Sequence, residues 1–325
     1  MKKAICILMA LVISLAGITG CATQSGDSSN LRIGIIQFAP HPSLDNCRIG
    51  FIDGLAALGY TDEKVVYDYQ NANADMNLAN VIAQKMASDG CDLIVAIATP
   101  AAQAAFNATV DGDISVVFIA VSYPVHAGIV QSLENPVNNV TGVSDVLQVH
   151  EQISLVASLL PEARTLGVLY NTGEVNAVRQ VDALRAAAES SGYVLEAASV
   201  TNVSEVALAL ESLLNRIDVL INVLDNTVVS AMAIIADRCA DRGIAIIGSE
   251  DEQVRNGALA SNGFDYLDAG RQAAVIAARI FEGEKASEIP VELVRDLQTV
   301  INNQAVEALG IVVPAEIAEA AEFVN

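Results

Sequence analysis

The chain has 325 residues, 53% hydrophobic and 17% charged, which is the composition of a globular protein with a large core and the length of about two ordinary domains. Its formal charge of −22 argues against a nucleic-acid partner, because phosphates need basic contacts. Net charge bears on solubility and association more than on site chemistry, so the acidity alone does not name a ligand.

The chain opens with Met1-Lys2-Lys3, an apolar run from Ala4 to Ala16, and Ile18-Thr19-Gly20-Cys21. That is the layout of a secretory signal over residues 1–20, with an apolar run too short for a permanent bilayer span. A Cys directly after small residues resembles the bacterial lipobox. In that reading the Cys21 thiol is diacylated and anchors the mature chain on the extracytoplasmic face of the membrane; an ordinary signal peptide with an incidental Cys is the alternative. ATQSGDSSN follows, so residues 21–30 read as a flexible tether. Beyond it stand Cys47, Cys91 and Cys239, an odd number without a CxxC, and the scattered His41, His126 and His150. No metal site or other cofactor is indicated, and the three cysteines read as small core residues.

From Leu31 apolar strands alternate with helices. LRIGIIQ (31–37) predicts a buried strand; 44–58 a helix with Phe51, Leu55 and Leu58 on one face, stopped by Gly59. VVYDYQ, a helix over 75–88, DLIVAIA, a helix from Pro100, and SVVFIAV come next. Continuous apolar strands between helices predict a parallel sheet covered on both faces. TLGVLYN (165–171) then restarts the scheme: Gly34 and Gly167 lie 133 residues apart, and so do Gly59-Tyr60 and Gly192-Tyr193. CDLIVAIATPAA has its counterpart in IDVLINVLDNTVV, and SVVFIAVS in IAIIGSED. The predicted fold is therefore α/β, with two similar doubly wound parallel-sheet lobes. A helix over 265–281, a strand near 297–301 and a short helix from Gln304 make a tail that suggests several crossings between lobes, hence a multi-stranded hinge. Lobe 1 is expected over 31–145 with about 264–290 returning to it, and lobe 2 over 146–263 with about 291–325 returning across the hinge.

Ligands of open α/β sheets bind beyond the carboxyl ends of the strands. Those ends carry Gln37, Phe38 and the PHPSLD loop; Thr99-Pro100-Ala101; Ser122-Tyr123-Pro124; Asn171-Thr172-Gly173; Asp225-Asn226-Thr227; and Ser249-Glu250-Asp251. The helix after Thr99 has free first-turn N–H groups, and the bare Ala101 and Ala102 let an anion approach. Thr99 and Ser122 add hydroxyls, so a carboxylate fits there; the alternative is that Thr99 caps the helix and the alanines pack. Asp225 and Glu250 could receive an ammonium, with Asn171 and Asn176 as orienting amides; the alternatives are a helix cap at Asp225 and a solvated loop at Glu250. A carboxylate on one lobe and an ammonium on the other is what a free amino acid requires. Phe38, Leu44 and Tyr123 read as apolar walls, and His41 between two prolines as a structural or rim residue. No GxSxG, HExxH or P-loop is present, so no catalytic residues are assigned.

HPSLDNCRIGFIDGL, YQNANAD, AIATPAAQAA, NNVTGVSD, GVLYNTGEVNAVRQV, DNTVVSA and NGALASNGFDYLDAG together resemble the bacterial ABC-transporter substrate-binding family of the tryptophan- and tyrosine-binding type, from about residue 31 to 314. The resemblance implies a type I periplasmic-binding-protein fold with a three-stranded hinge. It also implies an aromatic amino acid between the lobes, and a membrane permease with its cytoplasmic ATPase as partners. It puts Thr99, Ala101 and Ser122 on the carboxylate side, Asn171, Asn176, Asp225 and Glu250 on the other wall, and Gln37 and Ser43 along the remaining edge. Cys47 and Ser249-Glu250-Asp251-Glu252 depart from the family pattern; the extra carboxylates of the second leave a more cationic ligand open, and a purine-like compound is a further alternative. The working unit is expected to be a monomer. A surface enzyme and a sensory ligand-binding lipoprotein are the readings of other classes.

Overall fold

The computed structural model describes residues 30–146, 148–295 and 297–325. The signal segment, Cys21 and all of the tether except Asn30 lie outside the described residues. Among those described, no helix is long and apolar enough to cross a membrane.

The first sheet is built from β1 (Leu31–Gln37), β2 (Val65–Asn71), β3 (Leu93–Ile97), β4 (Ser115–Ile119) and β5 (Val140–Ser144), with α1 (Pro42–Ala57), α2 (Met76–Ser88) and α3 (Thr99–Thr109) as connections. Every strand pairing in this sheet is parallel. β3 is buried at all five positions, which is why it reads as an unbroken apolar run rather than an alternating one. The second sheet repeats the plan with β6 (Thr165–Asn171), β7 (Val194–Val200), β8 (Val219–Ile221), β9 (Ala245–Ile247) and β10 (Ala260–Gly263). The strand orders correspond: β5-β4-β3-β1-β2 in one sheet and β10-β9-β8-β6-β7 in the other. The two copies share a packing reason for one glycine. A Cβ at Gly34 would lie 2.8 Å from Met86 Sδ, and one at Gly167 would lie 2.5 Å from Ile217 Cδ1. In both sheets the strand next to the edge, β1 or β6, admits the packing behind it only because it carries no side chain there.

The chain passes between the sheets three times. After β5 it enters α4 (Val149–Leu159), which packs under β9 and β10. After β10 it returns as α10 (Tyr266–Phe281) to lie along α1. That helix pair is unusually close: a Cβ at Gly50 would sit 2.0 Å from Leu267 O, and one at Gly270 would sit 2.3 Å from Cys47 O. β11 (Glu292–Leu293) then joins β5 in the first sheet, and β12 (Gln298–Asn302) pairs antiparallel with β10 in the second.

The remaining helices are α5 (Val175–Ser190), α6 (Val206–Leu214), α7 (Asn226–Val229), α8 (Met232–Arg242) and α9 (Asp251–Arg255). The tail holds more than the sequence suggests. Beyond α11 (Asn303–Leu309) come α12 (Ala315–Ala320) and β13 (Glu322–Val324), which adds a parallel strand beside β12. Helix starts also shift: the first helix begins at Pro42 rather than 44, and Thr99 is the first residue of α3, not its cap. The cap position is Ala98, at φ 82°. Cys47, Cys91 and Cys239 are buried and unpaired.

Candidate ligand-binding site

A small cavity lies between the two sheets, walled from both sides. The first sheet's half supplies His41, Ser43 and Leu44 from the start of α1, Ala120 and Ser122 after β4, Asp145 after β5, and Tyr266 from the start of α10. The second supplies Asn176 from the first turn of α5, Leu224, Asp225, Asn226 and Val229 after β8, and Glu250 and Gln253 after β9. These are strand ends and helix starts, as the architecture dictates. Ala120 turns out of β4 at φ 58°, a conformation that costs a non-glycine residue of order 1–3 kcal/mol and is concentrated at functional sites.

Five of the residues singled out from the sequence meet here: Ser43, Ser122, Asn176, Asp225 and Glu250. Four stand outside the cavity. Gln37 is buried, with its Nε2 donating to Ala39 O at 2.8 Å and Asp45 Oδ1 at 3.1 Å. Thr99 and Ala101 are buried in α3, and the Thr99 hydroxyl has no partner. Asn171 faces a separate outer recess shared with Phe38, Asp75 and Glu174. Its role toward the cavity is support: its N–H donates to Asp225 Oδ2 at 2.5 Å, and its Nδ2 to Thr227 Oγ1 at 2.8 Å. Of the three apolar walls read from the sequence, Leu44 lines the cavity while Phe38 and Tyr123 do not.

Asp145 and Tyr266 were missed. Asp145 ends β5 and answers the same strand-end rule, but β5 is the short VTGVS at the lobe boundary, with no apolar run to draw attention to its end. Tyr266 reaches the cavity only because α10 returns to α1, and its hydroxyl donates to Asp145 Oδ2 at 2.5 Å across 121 residues of sequence. No local signal announces such a contact.

The cavity holds three buried carboxyl groups and no Lys or Arg among its lining residues. Burial, and then the nearby Glu174, push Asp225 well above the usual carboxylate range. Its Oδ1 caps α7 by accepting from Val228 N at 2.8 Å. Glu250 caps α9, accepting from Gln253 N at 3.1 Å and Glu252 N at 2.8 Å, and burial raises it to about 8. Asp145 is raised by burial, with the Tyr266 and Ser122 hydroxyls opposing the shift. His41 is lowered to about 4 by burial. Asn226 lies close enough to temper that shift, yet neither ring nitrogen has a hydrogen bond of normal geometry. Each of these shifts comes first from loss of water, which disfavours the charged form.

Three side-chain bonds tie the walls together: Ser43 Oγ to Glu250 Oε1 at 3.0 Å, Asn46 Nδ2 to Glu252 Oε1 at 3.0 Å, and Gln180 Nε2 to Ser122 Oγ at 3.2 Å. Gln152 of α4 holds the ends of β8 and β9 in register, donating to Asn222 O and Gly248 O at 3.0 Å each. The cleft is therefore shut around the cavity.

Residues 32–324 match the family model described as ABC transporter substrate binding protein. The chain belongs to that family. A tyrosine-binding protein of Clostridioides difficile is 40% identical over 320 residues, 95% of this chain and 92% of the relative. Among solved structures, an ABC domain from Streptococcus pneumonia in complex with L-Trp is 33% identical, with a TM-score of 0.87 over 91% of this chain and 100% of that one. A ligand-free, open substrate-binding protein with adhesive properties from Clostridium difficile is 41% identical, yet its TM-score is 0.68 over 91% and 99%. That open relative superposes less well although it is nearer in sequence, whereas in this chain side-chain bonds across the cleft hold the lobes closed. Its two-lobed α/β architecture is the type I periplasmic-binding-protein fold, seen also in more distant neighbours solved with 5-methylthioribose and with myo-inositol.

Proposed function

We propose that this substrate-binding protein is a lipid-anchored, extracytoplasmic receptor that closes on a free aromatic amino acid and delivers it to an ABC importer's permease and ATPase. The observation that carries this reading is the cavity between the sheets, where Asp145, Asp225 and Glu250 are buried without a basic side chain to neutralise them. Of the three, Asp145 keeps an oxygen without a partner, and a ligand ammonium supplies one. The free N–H groups at the start of α1, beside Ser43 and Leu44, suit the ligand's carboxylate, since this helix has no side-chain cap. Leu44, Leu224 and Val229 offer apolar surface for a side chain. The aromatic preference is supported by the tyrosine-binding and L-Trp-bound relatives. The receptor works as a monomer, without catalysis; Cys21, with the leader before it, supplies the anchor.

Calorimetry on the mature chain with L-tyrosine and L-tryptophan tests the ligand class. The chain contains no Trp, so bound L-tryptophan is also readable by its own fluorescence. Binding in the micromolar range or tighter is expected. Absence of heat and of emission change with both amino acids would end the aromatic reading.

A further inference from the structure

Native proteins leave few buried polar atoms without a hydrogen bond, and those at the wall of a binding cavity are the atoms a polar ligand can satisfy. Among the described residues ten buried side-chain atoms lack a partner. Four of them belong to residues lining this one cavity: Asp145 Oδ1, Asn176 Oδ1, and both ring nitrogens of His41. The other acidic groups of the wall are already committed. Asp225 accepts one backbone N–H on each oxygen, and Glu250 accepts from Ser43 and two backbone N–H groups.

We propose that the ligand's ammonium is held by Asp145 Oδ1 and Asn176 Oδ1, and its carboxylate by the ring of His41 with the first-turn N–H groups of Ser43 and Leu44. This rests on the amino-acid reading of the cavity and assigns its two ends to atoms. The Asn176 amide is fixed in a suitable orientation, because its Nδ2 donates to Leu224 O at 2.7 Å and leaves Oδ1 as the free acceptor. Asp145 is oriented by the Tyr266 hydroxyl on Oδ2, and the nearby Ser122 hydroxyl is itself tied to Gln180 of the opposite half. Asp145 and Asn176 stand on opposite sides of the cleft, so one ammonium bridges the lobes. At the other end His41 is 7% exposed and occupies the cap position of α1 without capping it. Pro42 has no N–H, so Ser43 and Leu44 present the free amides of that sixteen-residue helix. A neutral imidazole can donate one proton to a carboxylate there.

The test pairs variants with ligands that lack one end. Binding of L-tyrosine, tyramine and 3-(4-hydroxyphenyl)propionate is measured on the wild-type chain, Asp145→Asn, Asn176→Ala and His41→Ala. Asp145→Asn is expected to lose at least thirtyfold for L-tyrosine, and to bind the deaminated acid at least as well as wild type, because no ammonium is left to miss. That retained binding also shows the variant is folded. Asn176→Ala gives the same pattern at smaller amplitude and stands in if Asp145→Asn does not fold. His41→Ala is expected to weaken L-tyrosine and the deaminated acid together while sparing tyramine. Equal losses for all three ligands, or none for L-tyrosine in Asp145→Asn, overturn the assignment and leave the amino-acid reading standing. A wild-type chain that binds neither L-tyrosine nor L-tryptophan overturns the aromatic reading and the assignment together.

Discussion

Replacing Asp225 with alanine would strip the acceptor from two backbone N–H groups, those of Val228 and Asn171. The loop it pins carries Leu224, whose carbonyl oxygen orients Asn176, and Asn226, whose amide rests on Glu174. Loss of the side chain therefore disorders one wall of the cavity, and ligand affinity should fall by about 2 kcal/mol, the scale of leaving buried backbone donors unsatisfied. Calorimetry decides: unchanged affinity would remove Asp225 from the binding machinery. At this scale the sequence was legible in part. Asp225 and Glu250 could be found because polar residues right after apolar strands are conspicuous. The cap at Asp225 was open as an alternative in the sequence; that Glu250 caps a helix too, and that each residue is cap and wall at once, is visible only in the structure. Thr99 shows the reverse failure: a Thr before a Pro and two alanines has the local signature of an anion site, but the cavity opens at the end of β4 rather than β3.

Among the elements, the contact between α1 and α10 is the most demanding. Gly50 and Gly270 each face backbone of the other helix at a distance no Cβ could share. Gly50→Ala should force the helices apart and reduce stability by about 3 kcal/mol, the upper part of the range for overpacking. Urea denaturation would show it as a lower midpoint with unchanged slope; a midpoint equal to wild type would mean the helices slide without cost. Because α1 also presents His41 and Ser43, ligand affinity should fall as well. Strands such as β1, β3, β4 and β6 could be read directly, since burial on both faces leaves long apolar runs. β13 could not: Glu322-Phe323-Val324 is three residues long, and its strand identity comes from pairing with β12. The Gly50 contact was equally hidden, because a glycine inside a helix looks the same whether it faces water or another backbone.

For the whole molecule the pH response follows from Glu250. A free glutamate carboxyl titrates near 4.5, whereas in the closed cleft this one holds its proton up to about 8. The group's folded value is raised, so its stabilisation of the closed, ligand-free form is complete below about pH 4.5 and lost as pH rises through 8. An open cleft returns Glu250 to water and removes the penalty. Small-angle scattering of the ligand-free chain should therefore report a larger radius at pH 9 than at pH 6, and Glu250→Gln should remain compact at both. Equal radii for the wild-type chain would show that Glu250 does not set the balance. The duplication of the halves was legible from the even spacing of Gly34 with Gly167 and of Gly59 with Gly192. In the structure the first pair yields to packing behind the strand next to the sheet edge, and the second turns the chain at φ 88° and 81° after equivalent helices. The closed setting of the lobes had no sequence signal, since it depends on the balance of a few side-chain bonds across the cleft.

Three strands of chain join the halves, after β5, after β10 and after β11. Two bodies fastened at three points keep, to a good approximation, a single angular degree of freedom. Every compound that fits the cleft must then act on that one coordinate, and compounds of different chemistry can alter how often the shut form occurs but not its outline. On the proposed function, a membrane partner that reads the outline would receive a yes-or-no signal, and discrimination between solutes would rest with the cavity.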